Sequence, residues 1–137
     1  MAKGGLIMNF KQAVSSVFQN YATFSGRAPR SEYWWWVLFT VLANWVFSFV
    51  DGVLFHEYAL LHYEQVQAFT PLTSLVGLAL LIPSIAVGVR RFHDMDRTGW
   101  WLLIVLTGIG ALITTIWFMF RGTQGPNSYG PDPLGSV

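Results

Sequence analysis

The chain has 137 residues, room for one domain, and is 53% hydrophobic with only 11% charged residues, far below the roughly 25% charge of a soluble domain. It has no cysteine, which excludes disulfides, thiolate metal centres and cysteine nucleophiles. The net charge of +1 says little, no nucleic-acid partner is expected, and the information lies in where the charges fall.

Asn9–Tyr21 comes first. Phe10, Ala13, Val14, Val17, Phe18 and Tyr21 share one helical face of period 3.6. Asn9 and Gln12 have the spacing of a capping box. Such a helix beside a membrane span is expected to lie in the interface with its aromatic side in the acyl boundary. The alternative packs the same side onto the inner ends of the other helices. No apolar stretch with a cleavage site opens the chain, so a signal peptide is not expected.

Ser25–Glu32 is a charged turn, and Ser31 offers an N-cap for a first span over residues 33–50. Tyr33–Val50, Ala68–Val89 and Gly99–Phe120 hold no Asp, Glu, Lys, Arg or His across 18, 22 and 22 residues. A helix needs about 17–25 apolar residues to cross a bilayer core. Glu32 suits a helix start, and Tyr33, Trp34, Trp35 and Trp36 form an aromatic belt. Thr40, Asn44 and Ser48 make a polar stripe, in which the Asn44 amide needs a hydrogen-bond partner in hydrocarbon.

Asp51–Gln67 reads as an acidic, semi-apolar connection. The second span is expected over 69–89, with Pro71 in its first turn and Pro83 kinking it. Ser74, Gly77, Ser84 and Gly88 form a small-residue seam for helix packing. Arg90–Gly99 reads as a short loop, and the third span as 100–120. The tail, 122–137, is rich in Gly and Pro and reads as consecutive turns. The expected fold is thus an all-α membrane protein, one integral domain over 1–137, with an N-terminal interfacial amphipathic helix, three transmembrane helices and an irregular tail.

Lys3, Lys11, Arg27 and Arg30 precede the first span, and Arg90, Arg91 and Arg97 lie between the second and third; Arg121 alone follows the third. The positive-inside bias then predicts a cytoplasmic N-terminus and a tail on the outside. If the third segment were a re-entrant hairpin, the tail would instead return to the cytoplasm.

Two charged turns make the candidate site at the cytoplasmic mouth. Arg27, Arg30 and Glu32 come from the first; Arg90, Arg91, His93, Asp94, Asp96 and Arg97 come from the second. Crossed Arg–carboxylate pairs would form a structural latch. Guanidinium forks beside an anionic leaflet would bind phosphate headgroups, and docking onto a membrane complex is a third reading. Metal sites at His93, Asp94 and Asp96, or at His56, Glu57, His62 and Glu64, fit ligand geometry poorly, and no cofactor is expected. No Ser–His–carboxylate pattern or phosphate loop suggests an enzyme, and no ionisable group inside a span suggests an ion-coupled carrier.

Three segments in order carry a family resemblance: Ser25-Gly26-Arg27-Ala28-Pro29-Arg30-Ser31-Glu32-Tyr33-Trp34-Trp35, then Arg90-Arg91-Phe92-His93-Asp94-Met95-Asp96-Arg97-Thr98-Gly99-Trp100-Trp101, then Gly125-Pro126-Asn127-Ser128-Tyr129-Gly130-Pro131-Asp132-Pro133. From about Met8 to Pro133 the chain resembles the domain of unknown function 805 family of small bacterial inner-membrane proteins. The resemblance implies an architecture and a bacterial inner-membrane location, and no reaction. The functional expectation is a non-enzymatic accessory or assembly subunit that binds anionic lipid headgroups and a membrane-protein partner, or forms a homo-oligomer. An oligomeric channel or carrier subunit built around Asn44 is the alternative.

Overall fold

The computed structural model describes residues 7–61 and 70–135. These fall into two compact units: Val37–Leu81, and the described residues on either side of it. The elements are α1 (Phe10–Gln19), α2 (Arg30–Leu54), α3 (His56–Leu61), α4 (Pro71–Asp94), a 3-10 helix (Gly99–Leu106) and α5 (Gly108–Met119). Among the described residues there is no strand, only an isolated antiparallel bridge between Asn127 and Gly130. Two helices, α2 and α4, are long and apolar enough to cross a membrane; α5 is a shorter apolar helix.

α1 starts with a complete capping box: Asn9 accepts from the Gln12 N–H, and the Gln12 side chain accepts from the Asn9 N–H. Its inner side buries Ala13 and Val17. Phe10 meets Trp35 edge to face at 5.8 Å and Phe18 meets Trp36 at 5.3 Å, so α1 lies along the first turns of α2. α2 begins at Arg30, before Ser31. Ser31 is therefore not the N-cap, and its hydroxyl instead accepts the Met8 N–H.

In the unit Val37–Leu81, the buried Asp51 carboxylate accepts from the N–H groups of Leu72 and Thr73 and from the Thr73 hydroxyl. An acid on α2 thus satisfies orphan donors at the start of α4, where the helix dipole favours negative charge. Hydropathy places Asp51 in a connection; it belongs to α2. Phe69, the expected start of the second span, lies outside the described residues, as do His62 and Glu64.

α4 runs through the buried Pro83 and on to Asp94, so Arg90, Arg91, His93 and Asp94 lie on helical turns rather than in a loop. The helix ends in a Schellman motif. Asp96 adopts φ +55°, its N–H bonds the His93 carbonyl, and the Arg97 N–H reaches back to Phe92. Glycine usually takes that left-handed position, and its absence hides the helix end from a reading of the sequence.

The expected third span, 100–120, is not one helix. Gly99–Leu106 winds as a 3-10 helix, the chain turns at Thr107, and Gly108–Met119 returns as α5. At about 2.0 Å per residue the first arm is only about 16 Å long, and at 1.5 Å per residue the second is about 18 Å. Neither reaches across a bilayer core of about 30 Å. The Thr107 hydroxyl donates to the Ile104 carbonyl at 2.7 Å and accepts the Gly110 N–H at 3.1 Å, closing the turn. A Cβ on Gly110 would overlap the Ile104 carbonyl, so glycine there is what lets the two arms meet. Nearer the open end Trp101 packs edge-on against Trp117 at 5.6 Å.

This hairpin reverses the expected path of the tail. The Thr123 N–H bonds the Asp94 carbonyl at 2.8 Å, the Asn127 amide donates to the His93 carbonyl, and the Ser128 N–H donates to Asp96. The tail therefore packs against both arginine-bearing turns, whereas the charge count in the sequence sets it on the opposite side of the membrane.

Candidate functional site

The centre of the site is Asp94, in the last turn of α4 and 3% exposed. Its Oδ1 accepts from Arg27 Nε at 3.0 Å and lies 2.9 Å from Arg27 Nη2; its Oδ2 accepts from Arg91, one helical turn earlier. Arg27 is held by the turn before α2, where the Ala28 N–H bonds the Arg90 carbonyl at 3.0 Å. The remaining guanidinium donors of Arg27 reach the carbonyls of Thr123 at 2.5 Å, Gly125 at 2.7 Å and Gly130 at 3.3 Å. Arg91, fully buried, donates to the Ala28 carbonyl and to those of Phe118 and Phe120 at the end of α5. One carboxylate and two planar forks thus bind the first turn, α4, the hairpin and the tail.

A second pair lies beside it. Glu32 accepts from Arg90 at 3.1 Å and from the Ser16 hydroxyl at 2.9 Å, tying α1 to the start of α2 and the end of α4. Arg90 and Glu32 are both buried, and Arg90 Nε and Nη2 meet no protein acceptor. Glu32 is therefore the counter-charge on which this arginine relies.

His93 stacks on Tyr129 at 3.9 Å with the rings 6° from parallel. Because a carbonyl only accepts, its Nδ1 carries the proton and donates to Gly26 at 3.1 Å. Asp132 holds the tail's own turn, accepting from the Gly125 and Leu134 N–H groups. The Leu134 N–H holds its carboxyl below the ordinary carboxylate range, desolvation pushes the other way, and the Gly125 N–H and the fields of Arg27 and Arg121 add to the lowering.

Most of the residues singled out from sequence meet in this cluster, but as an interior rather than an open mouth. Arg27, Glu32, Arg90, Arg91 and Asp94 are buried. Arg30 is exposed, and Arg97 lies over the rings of Trp117 and Trp101 at 4.3 and 5.3 Å. Sequence reasoning misses the tail carbonyls, Tyr129, Ser16 and Gly122. A Cβ on Gly122 would fall inside the Asp94 carboxylate, so this glycine is needed for close approach. The Gly-Pro turns are legible in the sequence; that they return to the arginines is not.

The packing seam divides. Ser84 accepts the Trp36 indole N–H at 3.0 Å, and Gly88 is buried with Leu102 opposite it. Ser74 bonds its own helix at the Thr70 carbonyl, and a Cβ on Gly77 would meet nothing. Asn44 likewise donates within its helix, to the Thr40 carbonyl at 2.8 Å, and with Thr40, Ser48 and Thr73 it lines a cavity of about 460 Å³.

Residues 21–131 match the family described as Protein of unknown function (DUF805). The chain is 40% identical to Inner membrane protein YhaH of Escherichia coli over 118 residues, covering 85% of this chain and 92% of that protein. It is 39% identical to Inner membrane protein YhaI of the same organism over 119 residues, covering 86% and 92%. Uncharacterized protein YiiR, also from Escherichia coli, is 32% identical over 136 aligned positions, covering 80% and 85%. No solved structure matches the chain. With two helices of membrane-crossing length and relatives named as inner membrane proteins, the chain is a membrane protein with an inner-membrane location, and it belongs to the DUF805 family.

Proposed function

We propose that the protein is a non-enzymatic accessory or assembly subunit of the inner membrane, binding anionic lipid and a partner membrane protein. In this reading α2 and α4 cross the bilayer and the 3-10/α5 hairpin enters and leaves the same leaflet. The N-terminus, both charged turns and the tail are then cytoplasmic. Arg121, the one basic residue that stands against the positive-inside count, joins the others on that face.

One observation carries the proposal: the strongest polar groups are engaged with one another, while the outer surface is apolar. Asp94, Arg27 and Arg91 are held by each other and by backbone carbonyls. Trp45, Phe49, Leu78 and Ile109 are 72%, 68%, 66% and 76% exposed. Exposed area of that kind suits lipid and helix partners rather than a soluble substrate. Extraction into lipid nanodiscs without crosslinker is expected to recover a stoichiometric membrane-protein partner or tightly held anionic lipid. A lipid-free monomer with neither refutes the proposal.

The cavity beside Asn44, Thr40, Ser48 and Thr73 favours a second reading, a subunit of an oligomeric channel or carrier. Solute flux through liposomes carrying the protein, lost in Asn44→Leu, would select it; equal flux with and without protein rejects it.

A further inference from the structure

We infer that Arg97 and Arg121 form a phosphate-binding notch for the headgroup of an anionic phospholipid. This locates the lipid-binding part of the function proposed above and rests on it; the partner part is tested by copurification and stands or falls separately.

The two arginines differ from the three buried ones on this face. Arg27, Arg90 and Arg91 are buried and paired with carboxylates. Arg97 and Arg121 make no ion pair among the described residues, yet both line one open cavity of about 320 Å³. Trp117, Phe120, Gly122 and Thr123 complete much of its wall, and no acid lines it.

The Schellman turn at Asp96 delivers Arg97 to this position, and the Trp101–Trp117 pair fixes it there. A guanidinium lying over an indole face keeps its in-plane N–H edge free, which suits a tetrahedral oxyanion. Arg121 arrives from the other arm of the hairpin, directly after Phe120. Asp132 is the carboxylate whose charge is felt against Arg121, and its oxygens are engaged by the Gly125 and Leu134 N–H groups.

The position of the notch selects a lipid over a soluble phosphate. It opens where the polar tail meets the exposed apolar side of α5, on which Ile116, Met119 and Phe120 are 54%, 57% and 63% exposed. A phospholipid bound there puts its phosphodiester between the guanidiniums and its acyl chains along α5. Two cations with no lining acid favour phosphatidylglycerol over a zwitterionic headgroup carrying its own ammonium.

Native mass spectrometry of the detergent-purified full chain, titrated separately with phosphatidylglycerol, phosphatidylethanolamine and inorganic phosphate, tests this. Wild type is expected to retain one phosphatidylglycerol in preference to phosphatidylethanolamine. Arg97→Gln with Arg121→Gln is expected to weaken that binding roughly thirtyfold, and Arg121→Gln alone, at an exposed position, about fivefold. Lys11→Gln, an exposed cation on α1 outside the notch, is expected to bind as wild type does. Equal phosphatidylglycerol binding by wild type and Arg121→Gln overturns the inference. So does equal retention of the two lipids by wild type, or complete competition by millimolar inorganic phosphate, which would mark a soluble oxyanion as the occupant.

Discussion

Replacing Asp94 with alanine removes the one carboxylate that both Arg27 and Arg91 contact. All three side chains are nearly inaccessible, at 4%, 2% and 0% exposure, so the two guanidiniums cannot recover bulk hydration without opening the fold. Removing one partner of a buried ion pair costs about 3–5 kcal/mol, because the surviving charge is left uncompensated. Here the survivors keep bonds to the carbonyls of Thr123, Gly125, Phe118 and Phe120, which holds the expected loss near the lower end, about 3 kcal/mol. Thermal melts in detergent for Asp94→Ala, Arg27→Met and the double variant measure it. The double variant is expected to be less destabilised than the sum of the singles, since it removes the orphaned charge along with its partner. Strict additivity, or an Asp94→Ala melt indistinguishable from wild type, would show that the carboxylate does not hold the cluster together.

Single cysteines introduced at Ser25 and Ser128 in this cysteine-free chain are expected to react with impermeant maleimide from the same side of the membrane; labelling from opposite sides refutes the hairpin. Gly122→Ala is expected to loosen the tail and expose it to protease, whereas Gly108→Ala, whose added methyl would meet open space, is expected to leave protection unchanged; equal protection of both variants contradicts the close approach to Asp94. Asp132 is held ionised by the Leu134 N–H above all. Its folded pKa is depressed, so its stabilisation is present above the unfolded value of about 3.9 and lost as pH falls through the folded one. Wild type should melt above Asp132→Asn at pH 6, and the gap should close as pH falls through the depressed folded pKa; a gap unchanged in acid refutes the role given to the carboxylate.

Composition and charge spacing alone determine that this chain belongs in lipid. Runs as apolar as Tyr33–Val50 and Ala68–Val89 are stable as helices in hydrocarbon. The Asn9–Gln12 capping box is legible for a similar reason: its partners are three residues apart, so local spacing specifies the contact. Tertiary structure decides the rest. Hydropathy registers how apolar a segment is and not whether it turns back, so Gly99–Phe120 reads as a span until the Thr107 cap and the glycine at 110 close it into a hairpin. Once the chain reverses there, Gly122–Asp132 returns to Arg27 and Asp94, nearly a hundred residues distant along the chain for Arg27 and Gly125. Carbonyl acceptors have no side-chain signature, and only the folded path could show that the arginines end on them.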